Sequence, residues 1–302
     1  MSEVTFRRAE PEDRRVVFAV FRASVWAYVR QIGLLAPDAV DDVEEAWQRQ
    51  GPLMEHLERT AAEDWLAADE SGRVIGMARA IERGSHVQLT HFFVSPDAQA
   101  TGVGRGLLER AFPLGWGRHR SVIATQHPAA LGLYLRFGVK GRGLGLALSK
   151  EPTPVEVPTN LRVEEVGPGE VAEEAINSID KQVLGFRRPV DIRFFLSERP
   201  AYLFWRGREP VAYLFASTGL VSGPGAALDR SDLPALIVKQ ETLAFAAGHD
   251  KTSIGLSTSA ADTLSWALEH GYRIEPFFEV LLSDAPTMRL DSYLITQPPF
   301  IW

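Results

Sequence analysis

The sequence predicts a mixed α/β fold arranged as two tandem domains, each a mostly antiparallel central sheet flanked by helices. Three observations carry this expectation. With 302 residues the chain exceeds one ordinary domain of about 150. The stretch 149–160 reads SKEPTPVEVPTN, where Pro152, Pro154 and Pro158 interrupt any helix, so a linker is expected over 151–160 between domains at 1–150 and 161–302. Within each half, short strand-like runs bounded by glycine turns are interleaved with segments of helical period.

Composition narrows the class. Hydrophobic residues make up 45% and charged residues 24%, close to the globular average of about 25% charged, which excludes a disordered or fibrous chain. There is no cysteine, which excludes a disulfide framework, a thiolate zinc site, an iron–sulfur cluster and a cysteine nucleophile. Lys and Arg number 32 against 39 Asp and Glu, a net charge of −7, and no block of like charge marks a nucleic-acid or membrane arm. The N-terminus, Met1-Ser2-Glu3-Val4-Thr5, is polar, and no apolar run approaches the roughly 18 residues that cross a bilayer. A cytoplasmic protein is expected, one that engages neither nucleic acid nor membrane.

In the first half, residues 4–8 read as a strand, and Pro11 with Glu12 and Asp13 marks a helix start. Val17, Phe21, Ser24, Tyr28 and Ile32 then share one face at helical spacing, and Gly33 stops the helix. A second helix is expected over 41–61, broken near Gly51-Pro52. Strands follow at 65–68, 74–81 and 87–94, an antiparallel meander with Ser71-Gly72 and Gly84-Ser85 as turns. Gly102-Val103-Gly104-Arg105-Gly106 opens a helix to about Phe112. A strand at 121–125, a helix at 128–137 ending at Gly138, and a strand at 144–148 complete the half.

A glycine-rich loop between strand and helix presents backbone N–H groups at the positive end of a helix dipole, a site suited to phosphate. Glycines also serve helix starts for structural reasons alone. Two nucleotide loops fail on the residues: Leu107 and Leu108 stand where a Walker loop needs Lys-Ser or Lys-Thr, and Leu107 stands where a dinucleotide fingerprint needs its third glycine. What remains is Val94-Ser95-Pro96, then Gln99-Ala100-Thr101-Gly102-Val103-Gly104, and later Leu133-Tyr134 in a helix that ends at Gly138-Val139.

This order of motifs resembles the GNAT N-acetyltransferase superfamily over residues 1–150, departing from it only at Val139, where an aromatic is usual. The resemblance implies that the loop from Gln99 through Ala100, Thr101, Gly102 and Val103 to Gly104, with Arg105 beside it, holds the pyrophosphate of acetyl-CoA. It implies that the backbone of Phe92, Phe93 and Val94 holds the pantetheine. The Val94 N–H is then the donor to the thioester oxygen, a contact whose loss elsewhere costs roughly 3 kcal/mol. Tyr134 becomes the acid that protonates the departing thiolate. As a purely structural residue it would be core with its hydroxyl at the rim, since it shares a face with Leu131 and Phe137.

An amine of pKa about 10 must lose a proton at pH 7, a deficit of roughly 4 kcal/mol. Where many relatives carry a glutamate this chain has Gln88, which cannot be a base. His86 shares strand parity with Gln88 and Thr90, whereas His91 alternates to the other face unless a bulge intervenes; a water chain or an acid of the 41–63 region is an equal alternative. The histidines show no metal-ligand spacing, so no metal is expected, and no G-x-S-x-G elbow occurs.

The second half looks like a worn copy of the first. Strands are expected at 202–205, 211–216 and 253–256, a strand end at 219–224, and helices from Leu233 and over 261–271, closing with Gly271-Tyr272. Asp229-Arg230-Ser231-Asp232 replaces the glycine loop, and those aspartates would repel a pyrophosphate. Ala267 stands at the Tyr134 position. A GNAT-like domain without cofactor binding follows, one that supports the fold, covers the substrate cleft or helps form a homodimer, with the aromatic tail 293–302 packed on a domain.

The resulting reading is an N-acetyltransferase that moves an acetyl group from acetyl-CoA to a primary amine of a small molecule by direct attack. The absence of cysteine opposes a route through an acylated thiol. Two alternatives stand beside it. One is a non-catalytic coenzyme-A-binding module. The other is a tandem acetyltransferase similar to mycothiol synthase, in which the second domain is expected to be the active one; here the intact loop is in the first.

Overall fold

A computed structural model of the chain describes residues 4–36, 38–154, 159–216, 222–297 and 299–302. Two units emerge, Met1–Lys140 and Gly141–Trp302. Both are mixed α/β, with mostly antiparallel sheets.

The first unit runs β1 (Thr5–Arg8), α1 (Arg14–Gln31), α2 (Val43–Arg59), β2 (Ala61–Ala68), β3 (Val74–Arg83), β4 (His86–Val94), α3 (Val103–Ala111), β5 (His119–Ala124) and α4 (Pro128–Arg136). Its sheet order is β1-β2-β3-β4-β5, antiparallel except for the parallel β4–β5 pair. Helix α1 buries Val17 and Val20 against Leu66, Val74 and Met77; of the expected stripe, Val17 and Phe21 are buried, Ser24 and Tyr28 half-buried, and Ile32, at the helix end, is exposed. Helix α2 starts at Asp42, whose side chain accepts the Glu45 N–H at 2.8 Å.

The expected break at Gly51-Pro52 is absent. Helix α2 continues through Pro52, because Leu53, Met54 and Leu57 beyond it are buried and their packing outweighs the lost hydrogen bond. Gly51 is held close to the Trp47 ring, 3.0 Å from where a Cβ would stand.

The second unit contains β6 (Gly141–Lys150), β7 (Arg162–Val166), α5 (Glu170–Val183), α6 (Pro189–Glu198), β8 (Ala201–Arg206), β9 (Glu209–Phe215), β10 (Gly225–Ala227), α7 (Leu233–Ala246), β11 (Thr252–Ser257), α8 (Ala261–Glu269), β12 (Arg273–Ser283) and β13 (Tyr293–Leu294). Their order is β12-β6-β11-β13-β10-β9-β8-β7. The strand expected at 144–148 as the end of the first half is therefore part of the second unit, between β11 and β12. Leu148 is fully buried there with Leu233, Ile254, Leu256 and Tyr272, so the apolar alternation of β6 is satisfied by that core. Residues 155–158 of the expected linker, 219–221 of the expected strand end, and Met1, Ser2 and Glu3 lie outside the described residues. The tail is packed as expected, with Ile301 and Trp302 buried.

Candidate active site

The site begins where two parallel strands part. The β4–β5 ladder runs only from His86↔His119 to Leu89↔Val122, so Phe92, Phe93 and Val94 lie beyond it. The Ser95 N–H donates to the Ile75 carbonyl at 2.8 Å, which makes Gly76↔Val94 a pair that exchanges no hydrogen bonds of its own. Val94 thus turns its N–H and C=O away from β3, toward the open fork. By the same alternation Phe92 does so too, while Phe93 spends its backbone groups on Met77. The Val94 carbonyl accepts from Ser24 Oγ of α1 at 3.3 Å and from Gln99 Nε2 at 3.1 Å.

The loop that follows is bent for a helix start. Ala100 has φ 62° and Gly102 φ 95°, two left-handed residues flanking Thr101, whose hydroxyl donates to the Ala98 carbonyl at 2.7 Å. Gly102 is the N-cap of α3, and no side chain caps that end. The first-turn N–H groups of Val103, Gly104 and Arg105 thus face outward at the positive helix pole. A Cβ on Gly104 would stand 3.0 Å from the Phe92 ring, so this glycine also seats α3 on β4. Arg105 pairs with Glu109 at 2.9 Å and, with Arg136, borders a cleft of about 270 Å³ that Leu133, Phe137 and Pro113 also line.

Tyr134 of α4 packs edge-on against Phe92 with ring centroids 5.6 Å apart and is 5% exposed. Burial raises its pKa, which keeps the hydroxyl protonated. Phe92, Gly104 and Tyr134 are thus brought together at one end of the fork. The sequence reading assigned no role to Ser24, Tyr28, His127 or Arg136. Tyr28 of α1 is hydrogen-bonded to the Gln126 backbone, burial raising its pKa, and its ring meets His127 at 5.9 Å. The α1 stripe held the signal: Ser24 and Tyr28 continue an apolar face as polar residues.

The bulge that the parity argument left open is there. Arg79 opposes His91 and Ala80 opposes Leu89, so Thr90 is the extra residue and His86, Gln88 and His91 all come to the face that α1 and α2 cover. His91 contacts Met54 Sδ at 3.1 Å and Phe21 at 6.2 Å; burial, and then Arg79, push its pKa well below the usual histidine range. His86 bonds Ser121 Oγ at 2.7 Å and is pushed down to about 3 by burial and His119. Both are neutral at pH 7 and resist taking a proton. The acids of the 41–63 region are engaged as well: Asp41 with Arg22, Glu44 with Arg15, Glu45 with Arg49, Glu55 and Glu58 with Arg14, and Glu63 with Arg8, while Asp42 caps α2.

In the second unit the corresponding features are closed. Asp229 accepts from the Ser231 N–H at 3.0 Å, Asp232 pairs with Arg206 at 2.7 Å, and Ala267 is fully buried.

A glycine loop thus opens α3, which has no side-chain cap, beside a parallel pair of strands that part. Residues 29–139 match the acetyltransferase (GNAT) family model, a span that takes in β4, the loop, α3, β5 and α4. The chain carries a GNAT-family domain there. No curated protein sequence matches the chain. Among solved structures it is similar to a proposed acetyltransferase from Pyrococcus horikoshii, at 16% identity and TM-score 0.67 over 96% of this chain and 92% of that one. It is similar also to a GCN5-related N-acetyltransferase from Sphaerobacter thermophilus, at 15% identity and TM-score 0.58 over 93% and 95%. A tandem GNAT protein of the clavulanic acid biosynthesis pathway aligns at 14% identity and TM-score 0.56 over 93% and 98%. At these identities the likeness is one of fold.

Proposed function

We propose that the first unit transfers an acetyl group from acetyl-CoA to a primary amine of a small molecule by direct attack on the thioester, and that the second unit has lost cofactor binding. The observation that carries this reading is the Val94 N–H, turned into the fork immediately before a loop that ends in an uncapped helix. Acetyl-CoA supplies the activated acetyl thioester. The open fork edge and the left-handed residues of the loop fit an extended pantetheine followed by a pyrophosphate.

In this reading Phe92 and Val94 offer backbone hydrogen bonds to the pantetheine, Phe93 contributes its place in the strand, and Gln99 through Gly104 cradle the pyrophosphate. Arg105 and Arg136 add positive charge nearby. The Val94 N–H stabilises negative charge on the thioester oxygen, and Tyr134 delivers a proton to the departing sulfur. Because the nearby histidines are held neutral and the nearby acids are ion-paired, deprotonation of the amine is assigned to water. The deciding experiment is a calorimetric titration of the purified chain with acetyl-CoA, followed by an amine screen read by free-thiol release. One site per chain and amine-dependent thiol support the reading; two sites would restore the second unit as a cofactor domain, and binding without turnover on any amine would favour a coenzyme-A-binding module.

A further inference from the structure

Helix α4 has little of its own to hold it in place. It is nine residues long, shorter than the roughly 12–15 residues below which an isolated helix is marginal in water. Among its described residues Tyr134 alone is buried, and its first turn has no side-chain cap hydrogen bond. The helix that carries the proposed acid is therefore placed by what grips its two ends rather than by a fully buried face.

Arg120 of β5 grips one end. It is buried; its Nη2 donates to the Phe112 carbonyl at 2.6 Å and its Nη1 to the Phe137 carbonyl, and its guanidinium carbon stands 3.8 Å from the centre of the Phe112 ring. Phe112 is the C-cap of α3 and Phe137 the C-cap of α4. One cation thus meets the negative poles of both helices and fixes the distance between their C-terminal ends. Tyr28 of α1 grips the other end of α4. Its hydroxyl is hydrogen-bonded to the Gln126 backbone, and its ring meets that of His127, the N-cap of α4, at 5.9 Å. Between the two grips lies Tyr134, its ring centroid 5.6 Å from that of Phe92.

We propose, resting on the acetyl-transfer reading of the first unit, that Arg120 and Tyr28 are positioning residues. By holding α4 at both ends they set the Tyr134 hydroxyl toward the sulfur of a thioester whose oxygen meets the Val94 N–H, and both act through Tyr134. A displacement of about 1 Å at a reacting group can cost on the order of 10²-fold in rate, so the loss of one grip is measurable. The test uses two variants of the full chain, each alone and combined with Tyr134→Phe. Tyr28→Phe removes one hydroxyl, and Arg120→Lys keeps the charge but not the planar, two-pronged donor.

Two readouts separate placement from chemistry. In chain labelled with carbon-13 at the tyrosine Cζ, the Tyr134 resonance, assigned by its loss in Tyr134→Phe, should move in Tyr28→Phe and in Arg120→Lys. With acetyl-CoA and the amine that releases most thiol in the screen above, kcat should fall about 10- to 100-fold in each variant. KM for acetyl-CoA should hold within about twofold in Tyr28→Phe, whose contacts do not include the loop from Gln99 to Gly104. Beside Tyr134→Phe neither change should cost anything further, because no acid remains to be placed. An unmoved Tyr134 resonance in Tyr28→Phe overturns the proposal and leaves the acid role standing. A loss in kcat that persists in full beside Tyr134→Phe overturns it too, since the residue then acts on another group. If Tyr134→Phe keeps its kcat, or no amine is turned over, the acid itself fails and its positioning fails with it. Should Arg120→Lys not fold, Tyr28→Phe decides alone.

Discussion

Two forks occur in this chain, and they are finished differently. In the first unit β4 and β5 pair directly and then part, leaving the backbone groups of Phe92 and the N–H of Val94 on an open edge, while the Val94 carbonyl is taken by Ser24 and Gln99. In the second, among the described residues, β10 and β11 do not pair with each other; β13 lies between them, with Gly225 and Leu256 both opposite Leu294. The Ile295 N–H continues the seal onto the Gly255 carbonyl at 2.8 Å. Buried backbone groups must find partners, and in the second unit the chain's own Tyr293 and Leu294 supply them, while the edge of the first unit's fork has no strand laid along it. The helix starts differ in charge rather than in capping: neither α3 behind Gly102 nor α7 behind Asp232 has a side-chain cap hydrogen bond, but the turn before α7 carries Asp229 and Asp232.

The largest effects should fall on the open fork. Tyr134→Phe removes only a hydroxyl, so kcat should drop roughly 10²- to 10⁴-fold while KM for acetyl-CoA holds; Tyr293→Phe in the filled fork should leave kcat unchanged. Equal losses from the two would erase the distinction. Val94→Pro deletes a donor that the β3 ladder does not use, and a roughly 10²- to 10³-fold fall in kcat is expected with the circular dichroism spectrum preserved. A variant that folds and keeps its kcat would show that the Val94 N–H does not stabilise the thioester oxygen.

The filled fork should answer in stability rather than in rate. Leu294 is 3% exposed among Leu214, Leu256 and Leu236, and Leu294→Ala should cost roughly 2–5 kcal/mol in urea unfolding. Acetyl-CoA stoichiometry should stay at one. A second binding site appearing in that variant would mean that β13 is a removable plug over a competent site.

Most of the first unit was legible in local pattern. Val17 and Phe21 fixed the buried face of α1, the Ser71-Gly72 and Gly84-Ser85 turns fixed the meander, and the loop with Tyr134 converged on Phe92 as motif order suggested. What was illegible depends on pairing at long range. Nothing in the run from Leu89 to His91 marks Thr90 as a bulge, because no glycine is there and the bulge is set by β3. The direction of the Val94 N–H follows from one bond, Ser95 to Ile75, that no local rule supplies. Strand β6 reads as a strand from its alternating leucines, yet which sheet it joins is decided by where those leucines find a core. Helix α5 carries a local signal of its own: Ala172, Ile176, Ile179 and Val183 make a buried stripe of helical period.

The last contrast concerns how each unit treats a buried acid. In the first, Asp64 is paired with Arg79 at 2.7 Å, and burial still raises its carboxyl against the pull of that arginine; in the second, Glu279 Oε2 has no hydrogen-bond partner, and burial raises its carboxyl from 4.5 to about 7. A carboxyl that holds its proton more tightly in the folded state contributes stability that is present below about pH 4.5 and is lost as pH rises through 7. That loss is on the order of 3 kcal/mol for a shift of this size. Glu279→Gln has no proton to lose, so its stability relative to the unmodified chain should rise by about that amount between pH 4.5 and pH 8, measured by urea unfolding at both. A difference that does not change with pH would mean that Glu279 stays charged in the fold, with a counter-charge close by, and the contrast with Asp64 would vanish.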